Sequence, residues 1–153
     1  MSEKVIKAAL LGLGTVGNGV YKVLKNQREE MEKKIGAVVQ VEKILVRNLK
    51  KAAAKVEDPS ILTNDWKAIL EDPSIEIVIE VMGGFEPART YILEALRAGK
   101  HVVTANKDLV ASNGGELLDC AAEHQCDFLF EAAVAGGIPI IRPLKQCLAG
   151  NHI

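Results

Sequence analysis

Three glycines at positions 12, 14 and 17 stand between an apolar run, Val5–Leu11, and a polar stretch in which Val16, Val20, Val23, Leu24 and Met31 recur at helical spacing. A strand, a tight glycine turn and an amphipathic helix follow from that pattern. Gly12 suits the turn out of the strand, Gly14 a close approach of backbone to a pyrophosphate, and Gly17 close packing of helix on strand. The first N–H groups of the helix lack intrahelical partners and can face phosphate oxygens. A G-x-G-x-x-G string by itself is also an ordinary strand-to-helix turn; the strand before it and the helix after it favour a dinucleotide site.

The remaining chain alternates in the same way. Residues 38–46 read as a strand, 49–56 and 65–70 as short helices with Asp58-Pro59 and Asp72-Pro73 as breakers, and 75–82 as a strand. Pro87 opens a helix that carries Ile92, Leu93 and Leu96 on one face and stops at Gly99. Residues 101–104 form a strand, 117–122 lie in the next helix, 128–133 form a further strand, and 140–148 form a last helix after Pro139. The helix that begins after the glycine turn is expected to run unbroken to Gly36. This alternation predicts an α/β Rossmann-type fold, doubly wound, with a mainly parallel sheet and helices on both faces. With 153 residues and 48% hydrophobic content the chain is one globular domain with a real core.

Charge and cysteine content exclude several classes of partner. Nineteen basic residues against 20 acidic ones make no bulk field for nucleic acid or an anionic membrane, so recognition of phosphate has to be local. Cys120, Cys126 and Cys147 are odd in number and lack C-x-x-C spacing, which argues against a disulfide framework or a zinc site and fits a reducing compartment. No run is long enough for a spanning helix or a signal segment, and the cytoplasm is the expected location by default.

Ligands of such sheets bind beyond the carboxyl ends of the strands. After residue 46 an NAD site would place an acid for the ribose hydroxyls; this chain has Arg47-Asn48 there, and Glu42 comes too early. A guanidinium can form two-pronged, charge-assisted bonds to a 2′-phosphate, so the sequence favours NADP, with NAD left open. Lys50 and Lys51 read as a solvated helix start rather than as ligands. The Met82-Gly83-Gly84-Phe85 segment either lets backbone lie against a cofactor or is a turn. Lys107, in Thr104-Ala105-Asn106-Lys107, points toward the nicotinamide end of the crevice, or is a surface lysine. His101 reads as structural, His124 as helix surface, and Trp66 as packing a helix on the sheet.

The glycine turn, residues 80–84, Val102-Val103-Thr104-Ala105-Asn106-Lys107 and Glu131-Ala132-Ala133-Val134-Ala135-Gly136-Gly137-Ile138-Pro139, all in this order, resemble homoserine dehydrogenases from about Lys7 to the last residue. The resemblance implies reversible hydride transfer between a nicotinamide cofactor and L-aspartate 4-semialdehyde, giving L-homoserine on the route to threonine and methionine. Gly12, Leu13, Gly14, Thr15, Val16 and Arg47 match the family's cofactor contacts and Lys107 its lysine next to nicotinamide and substrate; with Gly17, Gly83 and Thr104, placed by the turn and the strand ends, these are the cofactor-binding candidates, and Lys107 is also the catalytic candidate. It further implies a sodium or similar alkali ion at Glu131, Val134, Gly136 and Ile138. Members of the family are longer: the acid/base lysine, the substrate-holding carboxylates and the dimerising region follow the point where this chain stops. Residues 1–153 are therefore expected to be a truncated NAD(P)-binding domain that binds cofactor weakly and has negligible turnover. Met1 followed at once by the fold suggests no N-terminal kinase here. In the longer enzyme the resemblance implies a homo-oligomer that takes homoserine or aspartate semialdehyde and binds neither nucleic acid nor membrane. The rival readings are another amino-acid or sugar dehydrogenase with the same turn, and a non-catalytic nucleotide-sensing domain.

Overall fold

The computed structural model describes residues 4–131. The elements run β1 Val5–Leu11, α1 Thr15–Asn26, α2 Arg28–Ile35, β2 Val38–Leu45, α3 Leu49–Ala53, a 3₁₀ turn Pro59–Ile61, β3 Leu62–Thr63, α4 Trp66–Leu70, β4 Ile75–Glu80, α5 Ala88–Arg97, β5 His101–Thr104, α6 Lys107–Glu123 and β6 Phe128–Phe130. Six strands pair in the order β3-β2-β1-β4-β5-β6, and every pairing is parallel. The chain winds outward from β1 in one direction through β2 and β3, then returns to start the other half at β4. The switch point is thus between β1 and β4, where a doubly wound sheet opens a crevice at its carboxyl edge. The fold is the Rossmann-type α/β fold that the sequence alternation predicts.

Side chains on successive strand residues point to opposite faces, and each face buries its own helices. Ile6, Ala8 and Leu10 of β1 pack with Val20, Leu24 and Met31 of α1 and α2. Ala9 and Leu11 pack on the other face with Trp66, Ile69, Ile92, Leu96, Leu109 and Leu117 of α4, α5 and α6. Strands this short and this apolar on both sides are the expected make-up of a covered parallel sheet.

Two local expectations are corrected. The helix after the glycine turn does not run unbroken to Gly36: Gln27, at φ −114° and ψ 38°, ends α1 and starts α2. Its N–H still reaches the Val23 carbonyl and its carbonyl still accepts from Met31. The bend brings Met31, the buried residue of an otherwise polar α2, into the core beneath Leu24, so tertiary burial overrides a continuous helical pattern. The strand expected over 75–82 stops at Glu80, because the amides of Met82 and Gly83 turn back onto the Glu80 carboxylate. The two-residue edge strand β3 carries no periodicity of its own and was not anticipated. The expected strand end after residue 131 and the helix over 140–148 lie outside the described residues.

The amino-edge end of the sheet is closed by a buried lysine. Lys100, 4% exposed, donates to the carbonyls of Asp72 and Ile75 at 2.7 and 2.8 Å, joining the start of β4 to the turn before β5. His101 beside it is buried, and its Nδ1 accepts from the Asp127 N–H at 3.0 Å. Its structural assignment holds. His124 caps the end of exposed α6 surface, and Trp66 packs α4 against α5 as well as the sheet.

Candidate functional site

β1 ends between two parallel neighbours, and the chain leaves it through Gly12, whose N–H bonds the Leu45 carbonyl at 2.9 Å. On the other flank the Val81 N–H bonds the Leu11 carbonyl at 3.0 Å. α1 then packs so close that a Cβ on Gly17 would sit 2.2 Å from the Gly12 carbonyl oxygen. No residue but glycine fits there, as the sequence spacing requires. Gly14 is different: nothing lies within 4 Å of where its Cβ would be, and the open space lies at the N-terminus of α1. Gly14 is the N-cap, it contributes no side-chain cap, and no acidic residue occupies the first turn. The N–H groups that open a 12-residue helix are therefore left for an outside acceptor, with the positive end of the helix dipole behind them.

From this turn a cavity of about 690 Å³ extends across the ends of β1, β2 and β4, a size usual for small-molecule sites. Gly12, Leu13 and Gly14 form its floor, and Arg47, Asn48, Lys51, Lys55 and Asn64 one wall. The facing wall is apolar: Val81, Met82, Pro87 and Tyr91. Three cations and no carboxylate line the cavity among the described residues. Asn48 caps α3 by accepting from the Lys51 N–H at 3.0 Å, which aligns the helix start behind Arg47. Lys51 thus stands at a helix start, as read from the sequence, and also on the cavity wall. Lys55, which the sequence analysis did not single out, donates from its Nζ to the Leu13 carbonyl at 2.9 Å. Its spacing of four from Lys51 was the available signal.

Tyr91 was also missed. It stacks on Trp66 with ring centroids 4.5 Å apart and planes 21° from parallel, and the Trp66 Nε1 donates to Glu94 at 2.7 Å. One aromatic wall of the cavity is in this way backed by a second ring and a hydrogen bond.

Gly83, Thr104 and Lys107 do not line this cavity; they stand farther along the same edge, at the ends of β4 and β5. Gly83 and Gly84 have φ of +76° and +75°, a conformation that glycine tolerates and that folds this loop back over Glu80. Thr104 is fully buried. Its hydroxyl donates to Glu80 Oε1 and accepts from the Asn106 N–H, so its side chain shapes the site through its neighbours rather than by touching a ligand. Lys107 is exposed and begins α6, which Asn106 caps by accepting from Leu109 at 3.2 Å. Glu131 follows β6, its N–H bonded to the Thr104 carbonyl at 3.0 Å. Val134, Gly136 and Ile138 lie outside the described residues. Within the described residues no group of three or more His, Cys, Asp or Glu is arranged to hold a metal ion.

Across the sheet, Arg47 follows β2, Gly14 follows β1, Gly83 follows β4 and Lys107 follows β5, in spatial order. This is an elongated site: cations at one end, free amides at its middle, and a lysine at the other end.

Comparison with known proteins agrees with this geometry. Residues 12–131 match the family described as homoserine dehydrogenase, NAD binding domain. The homoserine dehydrogenase of Bacillus subtilis is 45% identical over 150 residues, 98% of this chain and 35% of the relative. That of Synechocystis is 47% identical over 148 residues, 97% of this chain and 34% of the relative. The crystal structure of a homoserine dehydrogenase from Thiobacillus denitrificans superposes with a TM-score of 0.82 at 46% identity, covering 99% of this chain and 35% of that one. The chain spans about a third of the length of these relatives.

Proposed function

The chain belongs to the homoserine dehydrogenase family, matching its NAD-binding domain, and from that premise we propose that residues 1–153 hold NADP for the interconversion of L-homoserine and L-aspartate 4-semialdehyde by a longer enzyme. The observation that carries this reading is the cavity that runs from the uncapped α1 terminus to Arg47 with three cations and no carboxylate on its described lining. A dinucleotide fits that donor set: the amides at Gly14, Thr15 and Val16 take the pyrophosphate, Gly12, Leu13 and Gly17 shape the turn that presents them, and Arg47 grips the 2′-phosphate. Lys51 and Lys55 add positive charge to the same end. NAD, lacking that phosphate, would leave the guanidinium without its acceptor.

The bound nicotinamide supplies the acceptor or donor of the hydride. Gly83 offers backbone to that half of the cofactor, and Lys107 places an ammonium group where it can hold the cofactor or the substrate oxygen. Proton transfer to that oxygen needs a donor within hydrogen-bond reach, and the proposal assigns it to the longer enzyme, beyond these residues. Isolated, the chain would bind cofactor weakly and turn over negligibly. The longer enzyme would be a homo-oligomer serving threonine and methionine synthesis.

The same proposal places an alkali-metal ion at Glu131, Val134, Gly136 and Ile138. Hard cations take oxygen ligands, and Glu131 supplies a carboxylate two strands from β4, on the edge where Lys107 stands. Two free thiols, Cys120 and Cys126, fit a reducing compartment such as the cytoplasm. No helix among the described residues is long and apolar enough to cross a membrane.

Calorimetric titration of the chain with NADPH and with NADH, in sodium-containing buffer at low salt, tests the reading. Tighter binding of NADPH is expected. Tighter binding of NADH would overturn the cofactor assignment, and binding of neither would overturn the site.

A further inference from the structure

Glu80 is a carboxylate with no accessible surface at the carboxyl end of a central strand. A charge in that position must have its lone pairs met, and the donors that meet them come from the loop after β4 and from the last residue of β5. Oε2 accepts from the N–H groups of Met82 and Gly83 at 2.9 and 3.1 Å, and Oε1 accepts from the Thr104 hydroxyl. The chain of bonds continues: Thr104 Oγ1 accepts from the Asn106 N–H at 3.0 Å, and Asn106 Nδ2 donates to the Gly84 carbonyl at 2.6 Å. The ring closes on the loop where it began. The loop after β4 and the loop that leads into Lys107 are therefore one hydrogen-bonded piece with Glu80 at its centre.

We propose that Glu80 is a positioning residue that couples the Gly83 backbone to the Lys107 loop, setting the far end of the crevice for the nicotinamide half of a dinucleotide. The inference rests on the nucleotide reading above. A dinucleotide with its 2′-phosphate at Arg47, beyond β2, and its pyrophosphate at Gly14, beyond β1, lies with its other end over β4 and β5, because the strands follow in that order. That end meets the two loops that Glu80 ties together and no part of the Arg47 wall. A nucleotide made of the adenosine half alone meets Val81, Met82 and Pro87 on the cavity wall but reaches neither Gly83 nor the Lys107 loop, which lie outside that cavity.

The test compares wild type with Glu80→Gln, titrating each with NADPH and with 2′,5′-ADP by calorimetry and following thermal unfolding in parallel. In the variant the amide oxygen can still accept from Met82 and Gly83, but its NH₂ then faces Thr104, whose hydroxyl proton loses its acceptor. NADPH affinity is expected to fall about tenfold or more, with 2′,5′-ADP affinity unchanged. A merely structural role would weaken both ligands together. Equal weakening of the two, no weakening of either, or a wild type that binds NADPH no tighter than 2′,5′-ADP overturns the proposal. A wild type that binds neither ligand overturns the nucleotide reading, and this inference with it. If Glu80→Gln does not fold, Thr104→Val cuts the same link while leaving the two amide bonds of Glu80 in place; it should show the same split, and Thr104→Ser should restore NADPH affinity.

Discussion

Trp66 lies stacked on Tyr91, ring on ring, with centroids 4.5 Å apart, and Tyr91 is itself a wall of the cavity. Trp66 is the one tryptophan of the chain, so its emission reports on the far side of the ring that a ligand would meet. Titration with 2′,5′-ADP, which carries no nicotinamide to absorb the emission, should change Trp66 fluorescence saturably. Tyr91→Ala should abolish that change and cost about 1 kcal/mol of stability from the lost aromatic pair alone. An unchanged emission at saturating ligand, measured by an independent binding assay, would show that the nucleotide does not reach Tyr91.

Arg47 sets the second prediction. Replacing it with alanine removes a charge-assisted pair to the 2′-phosphate, worth about 1.5–3 kcal/mol, so NADPH should bind about 10- to 100-fold more weakly. NADH affinity should hardly move. Parallel calorimetric titrations decide it, and equal losses for both cofactors would remove Arg47 from the 2′-phosphate.

Gly17→Ala should act on the fold and the site together. The new methyl would stand 2.2 Å from the Gly12 carbonyl oxygen, and backbone cannot give way as a side chain can. Overpacking of this kind costs about 1–3 kcal/mol, visible as a lower urea midpoint. Nucleotide affinity should fall further than stability, because the displaced helix carries the phosphate-facing amides with it. Gly14→Ala, with open space around its Cβ, should leave stability nearly unchanged and weaken binding.

The acid limb of stability has an identifiable contributor in Asp72. Its carboxyl is held below the usual range by the Ser74 hydroxyl and amide, which both donate to it. A carboxyl depressed in the folded state adds stability that is present above the unfolded value, about 3.9, and is lost as pH falls through the folded one. Asp72→Asn should therefore lower stability at neutral pH and flatten the fall below about pH 4, so that the two proteins converge in acid. Urea midpoints measured across that range would check it, and an acid limb of unaltered slope would rule Asp72 out.

Sequence and structure agree best where a single local cause acts. The glycine turn needs three glycines for three backbone reasons, and the alternation of apolar runs needs a covered parallel sheet; both are present in the order of residues. The place of Arg47 was legible, because a residue just past the end of β2 faces the crevice, and it stands on the cavity wall. Glu80, Lys55 and Tyr91 were not legible, for a shared reason. Each works through a partner far along the chain: Thr104 is 24 residues from Glu80, and Leu13 is 42 from Lys55. Periodicity carries no record of such pairings. The break at Gln27 escaped because Met31 continues the apolar spacing of the helix before it, so the order of residues shows no interruption where the chain bends.

The contact between Gly17 and Gly12 also bears on how this domain could be instrumented. Since backbone meeting backbone fixes where α1 sits, the outward side of that helix is released from setting its position. Lys22, exposed on that side, becomes a place to attach a dye or a surface tether that rides on the phosphate-facing helix without tilting it.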